Sequence, residues 1–195
     1  MKKLNGNFYK FNLAVFISGR GSNLKSILDH SFKKNSLYQV KLVVSNKKNA
    51  KGLLVIRNKN IKKLVIDFTK SKSLGNKVLV KLKEEKIKLI CLAGFMKILP
   101  NYFIKSFKGK IINIHPSLLP KYKGLNTHKR VALNNEKFTG CTVHYVNKKL
   151  DAGKIILQNK VKVKKNESVR SIQKRVLKLE HKTYYKAIKK VLSSF

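Results

Sequence analysis

The chain has 195 residues, 43% of them hydrophobic, which suffices for one well-cored domain but hardly for two. Forty-six Lys and Arg residues stand against eight Asp and Glu, so the formal net charge is +38. No apolar run approaches the roughly 20 residues of a membrane-spanning helix. The first twelve residues also lack the apolar core typical of a signal peptide. We therefore expect a cytoplasmic protein with no membrane partner.

The charge admits two interpretations. A strongly basic chain is typical of nucleic-acid-binding proteins. Only five of the 46 basic residues are Arg, however, and the lysines are spread along the whole chain. Arg is the residue that makes bidentate contacts with bases. Drift of an AT-rich genome toward Lys and Asn codons would give the same composition. We expect no specific nucleic-acid partner, although such a surface should attract anionic substrates.

From residue 12 to residue 115, near-continuous apolar runs alternate with amphipathic segments. They predict strands and helices in turn: strands at residues 12–18, 38–45, 61–68, 88–93 and 110–114, and helices after residue 23, at residues 50–58 and at residues 74–86. This alternation predicts βαβ units. The expected fold class is therefore α/β, with an open, mostly parallel twisted sheet and flanking helices in a Rossmann-like arrangement.

After residue 115 the spacing becomes tighter. We predict a loop at residues 117–127 and a short helix at residues 128–134, with Thr127 as a candidate N-cap. Strand-like runs at residues 142–146 and 155–163 enclose a turn, and a long helix begins after its predicted N-cap Ser168. The two cysteines, Cys91 and Cys141, both lie in strand-like runs far apart, which favours buried free thiols over a disulfide.

A first candidate site is residues 18–24, SGRGSNL, between the first strand and the first helix. Backbone N–H groups and a helix N-terminus would converge there, which suits a phosphate. The segment matches neither the Walker loop nor the dinucleotide-binding fingerprint, so a single phosphate on a small substrate is the better hypothesis. A tight turn that uses Gly for positive φ would look the same.

A second candidate is residues 111–120, IINIHPSLLP. Asn113 and His115 are two residues apart and therefore point to the same side of an extended strand. Pro116 ends the strand, so His115 should lie at its carboxyl end, where open parallel sheets bind ligands. No second His or Cys stands nearby at ligand spacing, which argues against a metal.

A third candidate is Asp151, in the turn LDAG. Alone it would be an ordinary turn residue. Placed beside His115 it would favour the imidazolium and raise its pKa. A protonated His115 would stabilise an oxyanion and act as a general acid, and the Asn113 carboxamide would assist. For His128 and His144, a structural or supporting role is the better interpretation than direct chemistry.

Residues 95–99, FMKIL, follow the fourth strand beside Gly94. Apolar residues at that place either wall a pocket for a flat aromatic ligand or serve ordinary packing.

These segments, with the late pair Glu180-His181, resemble the phosphoribosylglycinamide formyltransferases, a folate-dependent family of purine synthesis. The resemblance runs in order from about Leu13 to the last helix. HPSLLP is shared by all transformylases that use formyltetrahydrofolate, while GSNL and the single-domain length favour the glycinamide ribonucleotide branch. Methionyl-tRNA formyltransferase is the enzyme alternative. It has an additional tRNA-binding domain, and only four residues follow Val191. A nucleic-acid-binding protein would leave Asn113, His115 and Asp151 unexplained, and a decayed enzyme is the third alternative.

The resemblance implies a role for each matching position. The catalytic residues would be Asn113, His115 and Asp151. The substrate phosphate would be bound by Gly21, Ser22 and Asn23, and the ribose hydroxyls by Glu180. The folate would contact Lys72, Met96, Lys97, Ile98, Leu99, Asn113, Val146, Asn147, Lys148, Lys149, Leu150 and Asp151. The implied co-substrate is 10-formyltetrahydrofolate, with no metal. We expect one domain over residues 1–195, with a phosphate-binding half to about residue 100 and a catalytic and folate-binding half after it. We expect a monomer or a weak homodimer.

The chain departs from the family at several positions without losing a catalytic group. Arg20 replaces a small or Asn-like residue, Lys97 replaces an Arg, and KGLNTH stands for PGLHTH. Ala152 replaces a Gly, which would matter if that position required positive φ.

Overall fold

The computed structural model describes residues 3–4 and 7–8 by their backbone alone, and residues 10–58 and 60–195 in full. The expectation of no signal peptide concerns a segment that lies largely outside these residues. The strands are β1 Lys3–Leu4, β2 Asn7–Phe8, β3 Phe11–Ile17, β4 Tyr38–Ser45, β5 Lys62–Val65, β6 Leu89–Leu92, β7 Lys110–His115, β8 Phe138–Tyr145 and β9 Ile155–Lys162. The helices are α1 Ser22–Ser31, α2 Lys72–Glu84, α3 Asn101–Ser106, α4 Thr127–Leu133 and α5 Val169–Leu192. Two short 3₁₀ helices lie at Lys51–Val55 and Phe68–Lys70.

Seven strands form one sheet in the order β5-β4-β3-β6-β7-β8-β9, and β1 pairs with β2. The pairs β3–β4, β3–β6 and β4–β5 are parallel, while β8–β9 is antiparallel. Strand β6 is buried along its whole length, and β3 is buried from Leu13 to Ile17. Such continuous apolar runs are typical of parallel strands covered on both faces. The predicted open, mostly parallel α/β sheet is confirmed.

The chain forms two compact units, one up to Ile112 and the other from Asn113 to Phe195. The core of the first unit contains four phenylalanines: Phe16, Phe68, Phe95 and Phe103. The rings of Phe68 and Phe95 stack 5.8 Å apart, and Phe16 meets both edge-on. Aromatic pairs in these arrangements add to the stabilisation from burial alone.

The second unit packs α5 on β8 and β9. Ser168 is the N-cap of α5, as predicted, and its hydroxyl accepts a hydrogen bond from the Ser171 N–H. The helix buries every fourth residue along its length: Ile172, Val176, Glu180, Tyr184, Ile188 and Leu192. Thr183, Ala187 and Val191 are buried as well, and these three-residue steps offset the drift of the four-residue spacing, so one side of the 24-residue helix stays against the sheet.

Three local predictions were wrong or missed an element. The segment predicted as a helix at residues 50–58 is a five-residue 3₁₀ helix, Lys51–Val55. There the Gly52 N–H donates to the Gly19 carbonyl at 2.9 Å. Helix α4 is capped by Asn126 in the left-handed conformation (φ 56°), not by Thr127, which is already helical. The six-residue α3 was not predicted, because it is too short to show a helical period.

Cys91 and Cys141 are buried free thiols, as predicted. Burial raises the pKa of the Cys141 thiol to about 12. Within the described residues, no helix combines the length and apolarity needed to cross a membrane.

Candidate active site

Strand β7 ends at His115, as expected from the proline that follows it. The imidazole of His115 is buried, with 5% of the residue exposed. Its Nδ1 lies 3.2 Å from Oδ2 of Asp151, and its Nε2 lies 2.8 Å from the carbonyl oxygen of Tyr122. Both ring nitrogens therefore face acceptors. A neutral imidazole donates to only one of them, whereas an imidazolium donates to both.

The pKa of His115 is nevertheless lowered from its ordinary value of 6.5, chiefly because burial disfavours the cation. The Tyr122 carbonyl and the charge of Asp151 act in the opposite direction without overcoming burial. Asp151 raises the pKa of His115, as expected, but burial is the larger effect and sets the net direction. Asp151 limits the lowering of the His115 pKa but does not reverse it.

Asp151 itself is ionised at neutral pH. Burial alone would raise the pKa of its carboxyl, but the neighbouring His144 imidazole, the hydrogen bond from the Gly124 N–H and the nearby His115 hold it below its usual range. The Gly124 N–H donates to Oδ2 at 2.9 Å. A buried carboxylate with these partners is a fixed negative charge beside the imidazole.

The backbone of the turn around Asp151 differs from the expectation for Ala152. Asp151 itself has positive φ (45°), and Ala152 does not. Asp tolerates the left-handed region better than most residues, so the catalytic candidate carries the strain. Gly153 is required for a different reason, since a Cβ there would lie 1.6 Å from the Tyr145 carbonyl oxygen.

Asn113 and His144 complete the cluster. The Asn113 Nδ2 lies 3.4 Å from Oδ1 of Asp151 and 3.3 Å from Nε2 of His144. His144 Nδ1 lies 2.8 Å from the Tyr145 carbonyl, which can only accept. We therefore assign the proton of a neutral His144 to Nδ1, which leaves Nε2 to accept from Asn113. The structure brings all three predicted catalytic residues together and adds His144, 3.6 Å from Asp151.

A signal for His144 was present in the sequence. Strand β8 is almost entirely apolar on one face, whereas the polar Thr142 and His144 alternate onto the other. Thr142 also serves the site, because its hydroxyl donates to the Ser117 carbonyl at 2.7 Å and accepts from the Leu119 N–H at 3.1 Å. These bonds fix the loop that follows β7.

That loop supplies two backbone groups that no side-chain pattern could reveal. Tyr122 and Gly124 both have positive φ, 57° and 78°. The resulting bends direct the Tyr122 carbonyl to His115 and the Gly124 N–H to Asp151. The Tyr122 side chain is held in turn by Glu136, which accepts a hydrogen bond from its hydroxyl at 2.8 Å, and by Arg130, 5.1 Å from the ring centroid.

The predicted phosphate loop lies at the N-terminus of α1, in the first unit. Gly21 is the N-cap of this ten-residue helix, with φ 77° and no side-chain hydrogen bond to the first turn. Ser22 and Asn23 are its first two residues. A Cβ on Gly21 would lie 2.4 Å from the Cα of Gly52, so the close approach of these two segments requires Gly. The phosphate-binding role of the loop remains a prediction.

Residues 95–99, after β6, were predicted either to wall a ligand pocket or to serve ordinary packing, and the structure shows both kinds of residue. Phe95 and Leu99 are buried, so they serve packing, whereas Met96 and Ile98 are 61% and 67% exposed. The Met96 N–H donates to the Ser18 hydroxyl at 2.8 Å, and that hydroxyl donates to Oδ1 of Asn46 at 2.5 Å. Lys97 pairs with Asp67 at 3.3 Å. Only Met96 and Ile98 are therefore available as an apolar wall.

The remaining candidates occupy varied environments. In the turn before Asp151, the Lys149 N–H donates to Oδ1 of Asn147 at 2.9 Å, and Leu150 is 53% exposed. Glu180 is buried on α5, and Lys72 is exposed at the start of α2. The catalytic cluster, this turn and Glu180 belong to the second unit, and the phosphate loop, residues 96–99 and Lys72 belong to the first.

Across the part of the chain that the structure describes, no group of three or more His, Cys, Asp or Glu side chains is placed to hold a metal ion.

Comparison with known proteins identifies the relatives. The family model described as formyl transferase matches residues 11–188. The trifunctional purine biosynthetic protein adenosine-3 of Gallus gallus is 43% identical over 190 residues, which cover 94% of this chain and 19% of that protein. The chain thus spans about a fifth of that relative. Phosphoribosylglycinamide formyltransferase of Haemophilus influenzae is 38% identical over 180 residues, which cover 91% of this chain and 85% of that protein.

A solved structure agrees with these sequences. The crystal structure of phosphoribosylglycinamide formyltransferase from Anaplasma phagocytophilum superposes with a TM-score of 0.89 at 38% identity, covering 95% of this chain and 88% of that one. The family match spans most of the chain, and the fold agrees over nearly all of it. The chain belongs to the formyl transferase family and, within it, to the phosphoribosylglycinamide formyltransferases.

Proposed function

We propose that the chain transfers the formyl group of 10-formyltetrahydrofolate to the amine of N1-(5-phospho-D-ribosyl)glycinamide, a step of de novo purine synthesis. One observation carries the assignment of the reaction centre: Asp151 contacts both His115 and Asn113 at the carboxyl end of β7. The cluster combines a fixed negative charge with an imidazole and an amide donor, the groups that stabilise a tetrahedral intermediate of acyl transfer.

During formyl transfer, the formyl oxygen becomes negatively charged in the tetrahedral intermediate and neutral again when the intermediate collapses. The substrate amine attacks the formyl carbon, a C–N bond forms, and the carbonyl electron pair moves to the oxygen. Because the pKa of His115 is lowered, the imidazole is largely neutral before the reaction. The developing oxyanion and Asp151 then favour the imidazolium, whose second proton comes from solvent, and its Nε2–H leaves the Tyr122 carbonyl to donate to the oxyanion. The amine proton passes to the leaving folate nitrogen, helped by Asp151. The electron pair of the oxyanion then re-forms the carbonyl as the old C–N bond breaks, and His115 returns its proton to solvent.

Roles for the other candidates follow the family resemblance. Gly21, Ser22 and Asn23 would bind the substrate phosphate through the N-terminus of α1, where backbone N–H groups lack helical partners. Glu180 would bind the ribose hydroxyls. Met96–Leu99 and residues 146–151 would contact the folate, with Lys72 at its far end.

The general setting of the protein is part of the same proposal. Both substrates are small anions, which a chain of net charge +38 attracts. We place the enzyme in the cytoplasm, as a monomer or weak homodimer acting as one formyltransferase domain.

His115→Ala and Asp151→Asn test the reaction centre. Each should lower kcat at least about a hundredfold, since a preorganised donor to an oxyanion contributes on the order of 3 kcal/mol. The measurement is absorbance-monitored turnover with glycinamide ribonucleotide and a 10-formyl folate. Asp29→Asn is the matched control, because Asp29 forms only an exposed surface pair with Lys25. Near-native turnover in either active-site variant would contradict the assignment.

The same assay addresses the basic-protein alternative. If the wild-type chain shows no formyl transfer yet binds RNA tightly at moderate salt, the enzyme assignment fails and the nucleic-acid-binding function is favoured.

A further inference from the structure

The outward side of α5 carries a continuous row of cations. A basic residue occupies every fourth position from residue 170 to residue 190, and all six are exposed: Arg170, Lys174, Lys178, Lys182, Lys186 and Lys190. We call these six residues the basic row. Each lies two residues, or about 200° of helix rotation, from a member of the buried row that begins at Ile172. A four-residue step turns about 40° beyond one full turn, so the row winds slowly around the helix: Lys174, Lys178, Lys182 and Lys186 face away from the sheet, whereas Lys190 reaches back to the Ile156 carbonyl of β9.

The basic row lacks acidic partners among the described residues. The one acid of α5, Glu180, is buried on the opposite side, and no ion pair involves a member of the row. Lys190 donates only to a backbone carbonyl, that of Ile156. By contrast, one lysine of α1 and one of α2, Lys25 and Lys81, pair with an acid of their own helix, Asp29 and Glu84. Like charges four residues apart destabilise a helix, so an external anion would relieve repulsion here.

The dimensions of the row fit a linear polyanion. Successive charges are spaced by about 6 Å along an array of about 30 Å, given the rise of a helix. A small anion could engage only one or two of these charges. A duplex nucleic acid presents a negative charge about every 1.7 Å of its axis, so it can meet all of the row that its curvature allows.

The residue types favour contact with the backbone of a duplex. Five of the six residues are Lys, which binds phosphate as a point charge rather than reading bases with a planar fork. Stacking of single-stranded bases would require exposed aromatic rings. Tyr185 of α5 is half-buried, and its ring lies under the ammonium of Lys189, 5.6 Å from the ring centroid.

We propose that the basic row is a docking surface for the sugar–phosphate backbone of duplex nucleic acid, without sequence preference. It is separate from formyl transfer, because it lies on the side of α5 opposite Glu180. It also differs from a general effect of net charge, because it assigns binding to one face of one helix.

The test compares two triple variants of equal charge. The first is Lys174→Gln, Lys178→Gln and Lys182→Gln, in the middle of the row. The matched control is Lys33→Gln, Lys34→Gln and Lys83→Gln, three exposed lysines of the first unit without ion pairs among the described residues. Fluorescence anisotropy with duplexes of about 20 base pairs, DNA and RNA, of two unrelated sequences, gives Kd across a salt series.

The row variant should bind at least about tenfold more weakly than wild type at low salt, and the slope of log Kd against log salt should fall by roughly 2 to 3, near 0.9 for each lost phosphate contact. The control should lose only a small part of this affinity, and both variants should retain wild-type formyl transfer. Equal losses in the two variants would overturn the proposal. So would equal binding of single strands, or competition by polyglutamate or anionic vesicles as strong as that by duplex at matched charge.

Discussion

At the residue scale, Asp151 combines a strained backbone with a carboxylate between two imidazoles. Its φ of 45° costs a non-Gly residue on the order of 1 kcal/mol, and such strain persists only where neighbours over-determine it. The bond from the Gly124 N–H supplies part of that constraint. Asn adopts the same backbone region readily, so Asp151→Asn removes the charge while preserving the turn.

The pKa of His115 can be measured directly, and it reports the balance between burial and the groups that contact the ring. Its pKa should lie below 6.5, because burial outweighs the Tyr122 carbonyl and Asp151. Removing the carboxylate in Asp151→Asn should lower the pKa further, since the opposite charge that favours the imidazolium is lost. Titration of the His115 Cε1–H by NMR, assigned by comparison with His115→Gln, measures both values.

The lowered pKa of His115 also determines how this residue changes the stability of the fold with pH. The folded state binds fewer protons at His115 than the unfolded chain, so this residue reduces stability as pH falls below about 6.5. A wild-type pKa above 6.5, or an increase in Asp151→Asn, would contradict the described balance.

At the element scale, Glu167 anchors the start of α5. Its Oε2 accepts from the Lys164 N–H at 3.0 Å and from Arg175 at 2.7 Å, and its Oε1 accepts from the Ser171 hydroxyl at 2.6 Å. Burial opposes ionisation, but these three donors outweigh it and lower the pKa of Glu167 from 4.5 to about 2. The carboxylate and the Ser168 cap together fix the first turn of the longest helix.

Glu167→Gln should therefore lower the free energy of unfolding by about 1 to 3 kcal/mol at neutral pH, the range for hydrogen bonds to a charged group. A depressed carboxyl pKa stabilises the fold above pH 4.5, and this contribution is lost as pH falls toward 2. Urea unfolding at several pH values should show the difference between wild type and variant narrowing over that interval. Glu84→Gln, which breaks an exposed pair, is the control. A difference that stayed constant with pH would show that the carboxylate charge is not responsible.

Hydrophobic periodicity was sufficient to predict long elements but not short ones. The continuous apolar runs of β3 and β6 and the spacing along α5 are direct records of burial. The 3₁₀ helix at Lys51–Val55 depends instead on a contact between Gly52 and Gly21, thirty-one positions apart in the chain. A contact of that kind leaves no periodic signal.

At the scale of the whole molecule, the acidic residues are few, and each of them is either paired with a cation or buried. Six of the eight form ion pairs with Lys or Arg: Asp29, Asp67, Glu84, Glu85, Glu136 and Glu167. The other two, Asp151 and Glu180, are buried. Most of the 46 basic residues therefore have no acid to pair with, and their mutual repulsion opposes the compact state.

The candidate site could be predicted as far as it consists of side chains. Asn113 and His115 are brought together by strand geometry, and Asp151 by the family resemblance. The Tyr122 carbonyl and the Gly124 N–H escaped prediction because every residue carries such groups, and only the bends of the loop select these two. The direction of the His115 pKa shift could not be predicted, because burial lowers this pKa while the Tyr122 carbonyl and Asp151 raise it, and the sequence does not show which effect is larger.

The hydrogen bonds of the Ser18 hydroxyl should couple the binding of the two substrates. This hydroxyl follows β3, bonds to Asn46 after β4, and receives the Met96 N–H after β6, so three strand ends share one oxygen atom. If folate binds residues 96–99 as proposed, its binding would also restrain Ser18, the residue at the start of the predicted phosphate loop. Each substrate should then bind more tightly in the presence of the other, and by the same factor in both directions. Calorimetric titrations of wild type in both orders should show this reciprocity, and Ser18→Ala should reduce the shared factor. Equal affinities with and without the second ligand would show that the two segments bind independently.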